Sequence, residues 1–540
     1  MSVVKLPEKI SFTPSQLQAV AAQVGVTVPA ADVTAYCTLL SGLEEAAELI
    51  EAQEDYVPKL DLHRFPRESI HRPTAEENLA DFNGWAYRVT VKSTSAEDAA
   101  GPLAGKTLAI KDNVNIGGVP SMLGTDVFPE PYVPVYDATI VSRILAAGGT
   151  IVGKAACENF SMSPTSFTNA HANVQHPMAP GHNAGGSSSG SAALLCGKRV
   201  DLAIGGDQGG SIRVPAAYCG LVGLKPTFGL VPYTGIASLA AIVDHAGPMS
   251  HTVLDNALLL GVIAGQDGLD DRQLYAPAPG KIDYVAELAQ YAESPKSAVA
   301  GMKIGILVEG FEMGGVDPEL ALKVRTAADM FRALGAEVVE VSVPMHALGP
   351  AIWTVATRQG IAEHGLFASN PLRFGVHDAP LNKELYKWNQ DKFESLQLHN
   401  PAATNAMLGG LHIKEAYPGL TDKAINLGRK LKDTYEAVFR DQGFDVLITP
   451  CAPFVSNMTS QPTDDILTKM SKAIGTTQNT APFNISGHPA LSLPVGMLPS
   501  ASAPEIKLPI GMQMVAAHFN EIALYRAAYA WEQTFDWHAL

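Results

Sequence analysis

Gly205-Gly206-Asp207-Gln208-Gly209-Gly210-Ser211-Ile212-Arg213-Val214-Pro215 decides how this chain is read. The run Val200-Asp201-Leu202-Ala203-Ile204 leads into it and has the pattern of a short buried strand. Four glycines interrupted only by Asp207-Gln208 are costly in ordinary structure, because glycine loses the most backbone entropy on ordering. A loop of this kind turns backbone N–H groups toward a ligand or a developing anion. Ser211 ends the loop and is presented at the carboxyl end of a strand, where open α/β sheets place their sites.

A second cluster lies upstream, Gly185-Gly186-Ser187-Ser188-Ser189-Gly190-Ser191, followed by the apolar Ala192-Ala193-Leu194-Leu195-Cys196. Flexible linkers share this composition, but linkers do not alternate with core-like runs. A P-loop needs a lysine directly after its last glycine, and neither cluster has one. Gly101 to Thr107 nearly spells a P-loop, with three residues instead of four between its glycines and no helix to follow.

Outward from this centre the pattern alternates. Leu108-Ala109-Ile110-Lys111 ends a strand, Asp137 to Gly148 predicts a helix with Asp137 as N-cap, and Thr150 to Lys154 predicts the next strand. Asp244 to Pro248 reads as a turn before a helix at Val253–Ile263. Met302 to Val308, a helix begun by Asp317-Pro318 and stopped by Gly335, and Ala336 to Val343 form one more βαβ unit. Residues 345–435 are helical, with Trp353, Phe367, Phe374, Tyr386, Trp388 and Phe393 as core or pocket lining. Strands follow at Asp445–Pro450 and near Pro494 and Met512, then a last helix from Asn520 to Trp531. The expected class is α/β, a mixed and mostly parallel sheet covered by helices.

Residues 1–80 differ. Val33, Tyr36, Leu39, Leu40 and Leu43 have helical spacing, and Leu60 to Ala75 carries Pro66, Pro73 and many charges. They are read as a helical N-terminal extension, with residues 81–540 as a catalytic domain. Such an extension can pack on the core or on a second copy, so a homodimer is open to it.

With 540 residues, 46% of them hydrophobic, the chain can bury a large core. A net charge of −16 argues against nucleic acid as a partner. Five scattered cysteines without a CxxC pair fit reduced thiols and a cytoplasmic location. The N-terminal residues lack the apolar stretch of a signal peptide, and no run approaches the ~20 apolar residues of a membrane helix.

A nucleophilic serine needs a base. His171, His176, His182, His245 and His488 are candidates, but no G-x-S-x-G elbow pairs with any of them. His171 and His176 lack metal-ligand spacing, so neither a metal nor another cofactor is expected. Lys111 is the other candidate. A lysine buried at a strand end can lose its proton near neutral pH, although a solvent-facing lysine at a turn accounts for the same letters.

Ala109-Ile110-Lys111-Asp112-Asn113, Gly185-Gly186-Ser187-Ser188, Asp207 to Arg213 and Gly223-Leu224-Lys225-Pro226-Thr227 together resemble the amidase signature family of serine hydrolases. The resemblance runs from about residue 85 to 535. It implies a Ser–Ser–Lys triad: Lys111 as base, Ser187 as the bridging serine held at a cis peptide bond, and Ser211 as nucleophile. It implies an oxyanion loop at Gln208, Gly209, Gly210 and Ser211, braced by Asp207 and Arg213. It places Met162 near the substrate carbonyl. Gly206-Asp207-Gln208 stands where many members have Gly-Thr-Asp. That form, with the helical extension, looks more like the bacterial and fungal amidases of small amides than like the glutamine amidotransferase component that works in a complex. The implied substrate is a small carboxamide or carbamate.

Overall fold

The computed structural model describes residues 6–128, 130–366, 376–385, 388–461 and 463–540. Phe367, Phe374 and Tyr386, read above as core or pocket aromatics, lie outside them.

The chain forms two compact units that divide after Pro58. The first holds the helices Pro14–Ala22 and Val33–Glu51. Thr13 caps the first by accepting the Gln16 N–H, while Gln16 reaches back to the Thr13 N–H. The Ser41 hydroxyl, buried on the second helix, accepts the N–H groups of Ser11 and Phe12 at 2.9 Å each.

The second unit, Lys59–Leu540, is built on one twelve-stranded sheet. Its strands are β1 (Arg67–His71), β2 (Trp85–Val91), β3 (Thr107–Lys111), β4 (Thr150–Ala155), β5 (Leu202–Asp207), β6 (Val222–Lys225), β7 (His245–Ser250), β8 (Lys303–Leu307), β9 (Glu337–Val341), β10 (Val446–Pro450), β11 (Ala490–Pro499) and β12 (Lys507–Val515). Their spatial order is β1-β2-β4-β3-β5-β7-β6-β11-β12-β10-β8-β9. Residues 59–80, assigned above to the extension, belong to this unit, because β1 pairs with β2 at the sheet edge.

The sheet is mixed and helix-covered as expected, but parallel pairing is confined to two blocks. β3 runs parallel to β4 and β5, and β8 runs parallel to β9 and β10. These are the βαβ units legible in the sequence. The seven other pairings are antiparallel. β11 and β12 are joined by a short loop, which only antiparallel strands allow. β7 replaces the turn expected at 244–248. Gly247 and Pro248 are both poor strand formers and hide it; at Gly247 even a Cβ would come within 2.2 Å of the Leu224 carbonyl on β6.

Asp137 does not cap the helix Thr139–Ala146, whose N-cap is Ala138. The Asp137 carboxylate accepts the Gly117 N–H at 2.8 Å and pairs with Arg67 instead. The helix Val253–Ile263 falls where its spacing predicts. Among the described residues no helix is long and apolar enough to cross a membrane.

Candidate active site

Strands β3 and β5 are parallel neighbours, with Ile110 opposite Ile204. Their carboxyl ends therefore lie side by side. Lys111 closes β3 and Asp207 closes β5, so the fold sets the lysine against the start of the glycine loop. Ser187 arrives from the loop before the helix Ser189–Cys196, and the Gly186–Ser187 peptide bond is cis.

Lys111 is fully buried. Its Nζ donates to Ser187 Oγ at 2.8 Å and to the Gly206 carbonyl at 3.4 Å. Burial lowers its pKa from 10.5 to about 8, against the opposing pull of Cys157, Asp207 and Glu158. A neutral lysine is thus within reach at mildly alkaline pH. Ser188 fastens the same corner: its hydroxyl bonds the Gly206 carbonyl, and the Gly206 N–H lies equally near, both at 3.2 Å.

The loop from Asp207 to Arg213 is held by its own carboxylate. Asp207 Oδ1 accepts the Gly210 N–H at 2.7 Å, and Oδ2 accepts the Ile212 N–H at 3.1 Å. Arg213 Nε and Nη2 reach the same carboxylate at 2.9 Å each. The remaining Arg213 donors go to the Thr480 carbonyl, Gln513 Oε1 and Asn484 Oδ1, at 3.0, 2.7 and 2.6 Å. All five guanidinium N–H donors are therefore used. Burial would raise the Asp207 pKa, but Arg213 and Asn484 reverse this and hold it below its ordinary value.

This brace predicts a measurable cost. Removing one member of a buried, hydrogen-bonded ion pair costs about 3–5 kcal/mol. Arg213→Met is expected to lose stability of that order in urea denaturation, and amide turnover with it. A loss below about 1 kcal/mol with unchanged turnover would show that the pair does not hold the loop.

The peptide planes of the loop are set by three acceptors. The Gln208 carbonyl accepts Trp353 Nε1–H at 2.7 Å, the Gly209 carbonyl accepts Thr480 Oγ1–H at 2.5 Å, and the Gly210 carbonyl accepts the Val214 N–H at 2.7 Å. In a trans peptide the next N–H points the opposite way. Gly210, expected among the oxyanion donors, therefore gives its N–H to Asp207. The N–H groups of Gly209 and Ser211 have no acceptor among the described residues. Gly210 has φ +143°, and a Cβ there would meet Thr480 Oγ1 at 2.4 Å, so only glycine fits.

Ser211 opens on a cleft of about 290 Å³, also lined by Met162, Gln208, Leu239, Trp353 and Arg358. Its hydroxyl makes no hydrogen bond among the described residues. The Gln208 side chain donates to Tyr233 Oη at 2.9 Å. Met162 is held by its carbonyl, which accepts Asn400 Nδ2–H at 2.6 Å.

None of the five candidate histidines bonds Ser187 or Ser211. His176 and His245 face the backbone carbonyls of Tyr218 and Val243, and His182 faces Ser500. His171 contacts the Thr125 carbonyl. His488 joins Glu436 and His518 in the one group among the described residues whose geometry could hold a metal. These three residues come from separate segments, so no sequence spacing announces them.

Several neighbours of the site carry no sequence signal. Glu158 is buried, accepts from Thr168 and Ser189, and sends its N–H to the Ser187 carbonyl at 3.2 Å. Burial pushes its carboxyl up to about 7. Thr480 and Gln513 support the loop from 267 and more residues away.

The family described as Amidase matches residues 69–524. An enantioselective amidase of Rhodococcus rhodochrous is 37% identical over 475 residues, covering 86% of this chain and 85% of the relative. A glutamyl-tRNA(Gln) amidotransferase subunit of Synechococcus sp. (strain WH7803) is 35% identical over 466 residues, covering 86% and 89%. Among solved structures, the native peptide amidase of Stenotrophomonas maltophilia superposes with a TM-score of 0.62 at 27% identity, covering 80% of this chain and 83% of that one.

Proposed function

Since the chain belongs to the amidase signature family, which holds both hydrolases and amidotransferase components, we propose that it is an amidase. It hydrolyses the C–N bond of small carboxamides, with carbamates as further substrates, through an acyl-enzyme on Ser211. The observation that carries this reading is the buried Lys111–Ser187 contact beside the glycine loop that presents Ser211 to the cleft.

Neutral Lys111 takes the proton of Ser187, and Ser187 takes that of Ser211 as its Oγ attacks the carbonyl carbon. For this, Ser211 Oγ closes on Ser187 Oγ when substrate binds; catalytic hydrogen bonds are often loose in free enzymes. The carbonyl oxygen becomes an oxyanion against the free N–H groups of Gly209 and Ser211. The proton returns through Ser187 to the leaving nitrogen, the C–N bond breaks, and ammonia or an amine departs. Water then attacks the ester, giving the acid and restoring Ser211.

The amidotransferase reading is the second, favoured by the 35% identity to the Synechococcus protein. Ammonia release separates the two. The purified single chain is expected to release ammonia from small aliphatic or aromatic amides without ATP, tRNA or any partner chain. Release that depends on added partner chains would overturn the amidase reading.

A further inference from the structure

The helix Gly349–Gly360 is fixed to the nucleophile loop by the Trp353–Gln208 hydrogen bond. One of its sides lines the cleft with Trp353, Thr354 and Arg358. At 1.5 Å per residue, Arg358 sits roughly 7 Å along the helix axis from Trp353. The same cleft, which Ser211 also lines, is walled by Met162, Leu239, Trp353 and Ile361.

Arg358 is half-buried, and it is unlike the other arginines that are buried or half-buried. Arg67 pairs with Asp137, Arg213 with Asp207 and Arg272 with Asp270. Arg143 donates to four backbone carbonyls. Among the described residues, the Arg358 guanidinium has no hydrogen-bond, ion-pair or ring partner. Burial lowers its pKa, and no carboxylate among the described residues offsets the effect. A guanidinium offers five donors in a planar fork that matches a carboxylate, and one left unpaired in a cleft wall is free to take such a partner.

We propose that Arg358 is the anchor for a carboxylate on the acyl part of the substrate, so that the cleft takes half-amides of dicarboxylic acids. This rests on the amidase reading above and names its substrate class. The apolar walls take the methylene or aryl spacer, Arg358 takes the distal carboxylate, and the carboxamide is presented to Ser211. The distal carboxylate does not react: the products are the dicarboxylate and ammonia.

Two measurements test this. First, kcat/KM is compared for half-amides of four-, five- and six-carbon dicarboxylic acids and for neutral amides of equal length. Wild type is expected to favour one half-amide over its neutral counterpart by at least about 100-fold. Arg358→Gln should collapse that ratio, with the change chiefly in KM, and Arg358→Lys should restore part of it. A wild-type ratio near one, or a ratio unchanged in Arg358→Gln, overturns the proposal, as does a preference for a carboxylate on the leaving amine. Second, calorimetry measures binding of glutarate and adipate without turnover. Binding by wild type that is lost in Arg358→Gln supports the anchor, whereas no binding by wild type overturns it. Binding without hydrolysis of any amide leaves the anchor standing and removes the amidase reading instead.

Discussion

Ser211→Ala is expected to abolish amide hydrolysis, with a fall in kcat on the order of 10⁴-fold or more, because losing a catalytic serine removes the covalent route altogether. The fold should be undisturbed. The loop is held by Asp207, Arg213, Trp353 and Thr480, none of which hydrogen-bonds the Ser211 hydroxyl. Steady-state rates and a thermal melt check both halves. A fluorophosphonate should label one serine in the wild type and none in the variant, and peptide mapping should locate the label at Ser211. Substantial residual turnover, or a label on Ser187 or Ser189, would move the nucleophile elsewhere.

Lys111→Ala should come next in size, removing nearly all amidase activity. With a pKa near 8 the lysine is about one-tenth neutral at pH 7 and about half neutral at pH 8. The acidic limb of kcat/KM should therefore rise through about pH 8. A histidine base would place that limb near 6.5. Lys111→Arg should not rescue, because a guanidinium stays protonated. Esters should suffer less than amides, since an alkoxide needs less protonation to leave. Near-normal amide turnover in Lys111→Arg would end the lysine relay.

The same shift carries a stability signature. The folded state holds Lys111 with a lowered pKa, so at pH 7 folding must bury an amine that is still mostly protonated. For a lysine brought from 10.5 to about 8 this costs about 3 kcal/mol below pH 8. The cost fades as pH rises from 8 toward 10.5. Lys111→Met lacks it, so the variant's stability relative to wild type should be highest near pH 7 and fall by pH 10. Denaturation curves at the two pH values read this difference, and an equal gap at both would mean that Lys111 is not desolvated.

Much of this site is legible because its chemistry is written in contiguous letters. Four closely spaced glycines with Ser211 and the Asp207…Arg213 spacing can be recognised without a neighbour in view. The βαβ units around β3–β4 and β8–β9 are legible for the same reason, since apolar periodicity and a stop at Gly335 are local signals. Local letters also mislead where tertiary pairing overrides them. β7 reads as a turn because Gly247 and Pro248 disfavour strands, yet antiparallel partners on both sides hold it in the sheet. Asp137 reads as a helix cap, yet the arginine arriving from β1 claims its carboxylate.

What the sequence by itself determined is the candidate reacting groups and the loop that carries them, because a hydroxyl, an amine and a glycine's freedom at φ +143° are properties of single residues. Only the tertiary structure decided their state. Whether Lys111 is neutral depends on its burial between parallel strands. Which N–H groups remain free depends on Thr480, Trp353 and Asp207 taking the loop's other polar atoms. That Arg358 lines the cleft without a described partner depends on where the carboxylates of distant segments ended up. Burial, hydrogen-bond saturation and charge pairing are sums over neighbours distant in the chain, and no stretch of sequence contains them.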